Sequence, residues 1–203
     1  MKKYVYLFAF MALALFSACT GCKENKKLTT TKELNVEQVI SVDKEYMFIN
    51  HKGDYRWFET CIVLKDFLDE ECDGTIASVS NVFQVVEEKE KGADVFVVLA
   101  AHTPDTTAYE VKHGFWVEDF PMNDEAIKVT FAQAFEKINE VNFPKPHSKQ
   151  CVLRKEIGPN ACNPQYIFGN VKAQLYVDAV TGEVSDKNPA FPEAFKMPLG
   201  EWP

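Results

Sequence analysis

Glycine is scarce, at nine residues in 203. No Gly-rich loop able to cradle phosphate can be drawn, and no G-x-S-x-G nucleophile elbow occurs. Basic residues are also short: 22 Lys and Arg stand against 30 Asp and Glu, for a formal net charge of −8. Nucleic acid is recognised through Lys/Arg stripes that neutralise phosphates, so this balance argues against it as a partner. Histidine is limited to four residues, and no Cys/His set has zinc spacing. Long apolar runs are missing too. Tyr4 to Phe16 is uncharged over thirteen residues, short of the roughly 20 that a spanning helix needs.

That short run is informative in its setting. Lys2 and Lys3 precede it, and Ser17, Ala18 and Cys19 follow it, the layout of an export signal with a positive start, a 7–15-residue apolar segment and small residues at the cut. The stretch LFSACTGC resembles a bacterial lipoprotein signal. The resemblance implies removal of residues 1–18 and acylation (palmitate among the chains) of Cys19 as the new N-terminus. Phe16 stands where the family prefers an aliphatic residue, and Cys22 is the poorer candidate because Cys19 lies three before it. Removing two lysines moves the charge from −8 to −10. The expected location is the cell envelope, at the outer membrane, with attachment through lipid rather than charge.

Residues 19–35 are polar, rich in Lys and Thr and without apolar periodicity, and are expected to form a flexible tether. Residues 36–122 read as an antiparallel β-meander. EYMFINHKGDYRWFE looks like a hairpin turning at Lys52-Gly53-Asp54. TIASVSNVFQVVEE, ADVFVVLAAH and AYEVKHGFWVEDF follow as strands divided by short turns. One helix is clear. Thr130 and Gln133 have capping-box spacing, and Phe131, Ala134, Phe135, Ile138 and Val141 form one apolar stripe. CVLRKEI, QYIFG and VKAQLYVDA then read as short strands. Residues 187–203 hold four prolines and read as an extended tail.

VTFAQAFEKI, QYIFG and LYVDAVTGEV together resemble a PepSY-type module. There a helix precedes a small antiparallel sheet whose last strand reads roughly Y-V-D-A-x-T-G-E-V. Residues 123–186 are the PepSY-like unit, and the meander before them reads alternatively as a degenerate copy of it, in the manner of tandem envelope proteins that resemble a β-lactamase-inhibitor scaffold. The expected fold class is α+β, a meander followed by one main helix packed on an antiparallel sheet. The resemblance implies a non-catalytic protein- or peptide-binding, or inhibitory, module and carries over no catalytic residues. Two other readings stay open: a ligand- or calcium-binding accessory lipoprotein of an uptake system, and an envelope hydrolase that no motif marks.

Local constellations are few. Asp69, Glu71 and Asp73, with Gly74 next, imitate the start of a calcium loop with oxygen ligands at alternate positions. Ser80 stands where a bidentate Glu would close it, so an acidic hairpin turn is the competing reading. If exported, the chain can oxidise Cys61, Cys72, Cys151 and Cys162, which allow three full pairings. Proximity in sequence favours Cys151–Cys162. His102 and His113 flank one turn; with Thr103 opposite Ala108, His102 faces Tyr109 and His113 faces Val98, so the rings are expected on one face but well apart, as partly buried, hydrogen-bonded side chains rather than metal ligands. Tyr46, Phe48, Tyr55, Trp57 and Phe58 could line a sugar- or peptide-binding face or pack into the core.

Overall fold

A computed structural model describes residues 33–51, 54–68, 71–90 and 92–191. The signal, Cys19, most of the tether and the end of the tail lie outside the described residues. Among the described residues the architecture is α+β: two α-helices and a nine-stranded antiparallel sheet. The elements are α1 (Val36–Asn50), β1 (Asp54–Leu64), β2 (Ile76–Lys89), β3 (Gly92–His102), β4 (Thr107–His113), β5 (Asp119–Phe120), α2 (Phe131–Glu140), β6 (Gln150–Glu156), β7 (Gln165–Asn170), β8 (Ala173–Asp178) and β9 (Val184–Ser185), with a 3-10 turn at Asp124–Ala126.

The first helix corrects the expected hairpin. EYMFIN is the second half of α1, not a strand. Asn35 caps it, its side chain accepting from Gln38 N–H at 2.9 Å. Val36, Val39, Ile40, Asp43 and Met47 form its buried stripe. The spacing is helical throughout, but the stripe carries a carboxylate at its centre.

The sheet order is β4-β3-β2-β1-β6-β7-β8-β9, so β1 and β6 pair in the middle and a helix followed by four antiparallel strands occurs on each side. Both helices cover one face. On α1, Asp43 reaches Asn81 of β2. On α2, the Phe131 ring packs 6.1 Å from Phe168 of β7. The register puts Asn81, Thr60, Leu153 and Tyr166 on this face together. The helices meet at their N-termini, where Glu37 accepts from Phe131 N–H at 2.7 Å, a favourable place for a carboxylate at the positive end of α2. The capping box is formed: Gln133 N–H donates to Thr130 Oγ1 and Thr130 N–H to Gln133 Oε1. Val141 closes α2 in an extended conformation rather than extending its stripe.

β1 and β6 run together only from Glu59–Arg154 to Val63–Gln150. An extra residue, Phe58, bulges β1 between Trp57 and Glu59, and such a bulge bends its strand. β5 fills the gap, pairing Asp119 with Glu156 and Phe120 with Lys155, while Met122 bridges Trp57.

The cysteines overturn the proposed bridge. Cys61, Cys72, Cys151 and Cys162 are all free thiols. Cys151 is the second residue of β6 and is buried in the core opposite Phe168. Cys162 sits in the next loop, near Glu156 and Asp178 at the other end of the strand. Five residues of strand, roughly 17 Å, separate the two ends, against a Cα span of about 7 Å for a disulfide. Thermal melts with and without reductant are therefore expected to coincide; a lower melting temperature in reductant would show an unseen bridge.

Candidate functional site

Two groups of polar side chains are assembled from distant elements. The first lies under α1. Asp43 is fully buried and His102 is 3% exposed. Asp43 Oδ1 lies 2.7 Å from His102 Nε2 and accepts from the Tyr109 hydroxyl at 2.9 Å. Asp43 Oδ2 accepts from Asn81 Nδ2 at 2.7 Å. The line continues on both sides. Thr60 Oγ1 donates to Asn81 Oδ1 and accepts from Trp57 Nε1 at 3.1 Å, and Thr107 Oγ1 stands 3.1 Å from His102 Nδ1. With Nε2–H donating to Asp43, Nδ1 is an acceptor for the Thr107 hydroxyl, so both ring nitrogens are used. A buried carboxylate needs such donors. Tyr46 of α1 stacks on Tyr109 at 3.6 Å, closing the open flank. Burial, with Asp43 adding to it, pushes the Tyr109 hydroxyl well above its ordinary pKa. Lys44 lies 3.9 Å above the Trp57 ring and pairs with Asp124; burial lowers its pKa to about 8.

The second group lies on the opposite face, where β1, β5 and β6 meet. Arg154 gathers three carboxylates: Glu156 at 2.5 Å, Asp119 at 3.6 Å and Glu59 at 3.8 Å. Trp116 Nε1 donates to Asp119 Oδ2 at 3.2 Å, and the Cys61 thiol donates to Glu59 Oε1 at 3.0 Å. Asp119 Oδ1 and Arg154 Nε have no hydrogen-bond partner among the described residues. One guanidinium for three carboxylates leaves negative charge in excess. Burial pushes the Asp119 carboxyl up to about 7; Arg154 opposes that shift and Glu59 adds to it. The group can take up a proton near neutral pH.

Beyond these clusters the second face is a side-chain row across the strands: Ala108, Ala101, Ser80, Cys61, Val152 and Ile167, from β4 to β7. Neither helix covers it. Gly114–Phe120 returns over part of this face, where Trp116 N–H donates to Gln84 Oε1 at 2.9 Å.

The chain matches no protein-family model, no curated protein and no solved structure.

The residues singled out in the sequence are not brought together. Asp69 lies outside the described residues. Glu71 is exposed, and Asp73 accepts from Thr75 N–H at 2.8 Å; hydrogen bonding from the Thr75 side chain, and then from its backbone, lowers the Asp73 pKa. Gly74 has φ +76, so the acidic turn uses the left-handed region. Among the described residues, no three His, Cys, Asp or Glu side chains are placed to hold a metal ion. In the hairpin His102 faces Thr107 and His113 faces Phe96, not Tyr109 and Val98, and the two rings lie at opposite ends of the strand pair. The aromatic set divides. Tyr55 and Trp57 pack in the core, Tyr46 and Phe48 are on α1, and Phe58 lies at the bulge. Sequence reasoning missed Asp43, Asn81, Thr60, Asp119 and Arg154. Only Asp43 left a signal, as a charge within a helical stripe.

Proposed function

We propose that the chain is a non-catalytic lipoprotein of the cell envelope, held at the outer membrane through Cys19, that binds a protein or peptide on the uncovered face of its sheet. The one-sided covering of the sheet carries this reading. Among the described residues the helices occupy one face only, and the other carries the short side chains of Ala108, Ala101, Ser80, Cys61 and Val152 in a row across five strands, with Gly114–Phe120 returning over part of it. Short side chains let a partner approach the sheet closely, and β-scaffolds bind chains by face or edge. A helix followed by antiparallel strands, with the Asp178–Gly182 turn at the end, supports the PepSY-like reading of the second half. In that turn Val180 N–H donates to Asp178 Oδ1 at 2.8 Å, and Gly182 has φ +76.

A photo-cross-linking residue at Ser80, in cells expressing the full chain, is expected to trap one defined adduct. The same residue at Val171, on the exposed β7–β8 turn, is expected to trap none. No adduct at Ser80, or the same adducts at both positions, would overturn the docking face. Labelled palmitate is expected in the wild-type chain and not in Cys19→Ser; equal labelling would overturn the anchor.

A further inference from the structure

We infer that β4 is a homodimer edge, pairing with β4 of a second copy in antiparallel two-fold fashion centred on Val111. β4 is the last strand on its side of the sheet. Thr103 N–H donates to Thr106 O at 2.9 Å, and Gly114 N–H to Val95 O at 3.1 Å. With the β3–β4 register, these bonds fix Ala108, Glu110 and Lys112 as the residues bonded to β3. Alternation then turns the backbone groups of Thr107, Tyr109, Val111 and His113 outward.

Charges on an edge strand ordinarily discourage pairing. Here their order fits a second copy. With Val111 opposite Val111, Glu110 of one protomer faces Lys112 of its partner, twice, and Tyr109 faces His113. Glu110 and Lys112 fall at non-hydrogen-bonded positions, where side chains approach most closely. Sliding the partner by two residues either way sets Glu110 against its own copy or Lys112 against its own copy. The charge pattern therefore selects one register.

The apolar surface beside this edge is centred at the same place. Val111 is 52% exposed and Ile49 is 61% exposed. Tyr46 stacks on Tyr109, and His51 meets Phe96, which pairs with His113. Those two contacts bring the stretch of α1 between them to the level of Val111. Ile49, one turn beyond Tyr46, is on the same flank of the helix. The two-fold arrangement gathers both side chains from both protomers around its axis.

The test is the mass of the purified full-length chain by sedimentation across a concentration series. The wild-type chain is expected to dimerise reversibly. Glu110→Lys sets lysines against each other twice and is expected to weaken the dimer about tenfold. Glu110→Lys combined with Lys112→Glu is expected to restore it. Both side chains are exposed and lie 3.4 Å apart as an ion pair within one protomer, a surface pair worth little, and an unchanged melting temperature will show that each variant folds. Amide exchange at Tyr109, Val111 and His113 is expected to slow as concentration rises. A monomer throughout the series, a dimer indifferent to Glu110→Lys, or a charge swap that fails to restore pairing would each overturn the proposal.

Discussion

Asp43→Ala is expected to destabilise the fold by about 3–5 kcal/mol, read as a lower midpoint in urea with little change in slope. Asp43 accepts from Asn81 and Tyr109 and pairs with His102. Truncation leaves three polar groups without their acceptor, two of them on buried residues, and an unsatisfied buried group costs far more than an average hydrogen bond gains. The loss spreads further, since Thr60 and Trp57 lean on Asn81 in turn. Asp43→Asn retains one acceptor oxygen but sets an amide nitrogen among donors, so an intermediate loss is expected. A change below about 1 kcal/mol for Asp43→Ala would show that the network is not what seats α1 on the sheet.

The second large effect is a dependence of stability on pH set by Asp119. The ordinary Asp pKa is about 3.9, whereas burial raises Asp119 to about 7 in the folded chain. Between those values the folded state holds a proton that the unfolded state has released. The contribution is thus fully present below about pH 4 and is lost as pH rises through about 7. Asp119→Asn cannot ionise, so its stability is expected to stay flat through this window. At pH 8 it is expected to exceed the wild-type chain by on the order of 2 kcal/mol, or ~4–8 °C in melting temperature, and the two curves should converge only below about pH 4. The lowered pKa values of Asp94 and Asp178 act the other way, but only in more acidic solution, where those groups take up protons. Parallel curves for the variant and the wild-type chain would show that Asp119 is ionised throughout.

α2 was legible because each signal for it is local. The capping residues are three apart, and Phe131, Ala134 and Ile138 make its buried stripe without interruption. α1 was not legible, although its stripe is as regular. Its central inward position is Asp43, and the partners that make a carboxylate acceptable there lie 38, 59 and 66 residues away. Without them Tyr46, Met47, Phe48 and Ile49 read as strand residues. The Arg154 group was hidden for the same reason, being assembled only where β5 enters the gap left by Phe58. The Cys151–Cys162 error shows the converse: residues close in the chain are held apart when a strand runs straight between them.

The β1–β6 ladder has a mechanical consequence. Five residue pairs, from Glu59–Arg154 to Val63–Gln150, tie one half of the molecule to the other. Neither half can swing without breaking that seam, so tension on the N-terminus is transmitted through continuous sheet rather than released at a hinge. The seam joins positions about ninety residues apart, and closing so long a loop is entropically dear. It is expected to zip late in folding and to be the place where the molecule first parts under load.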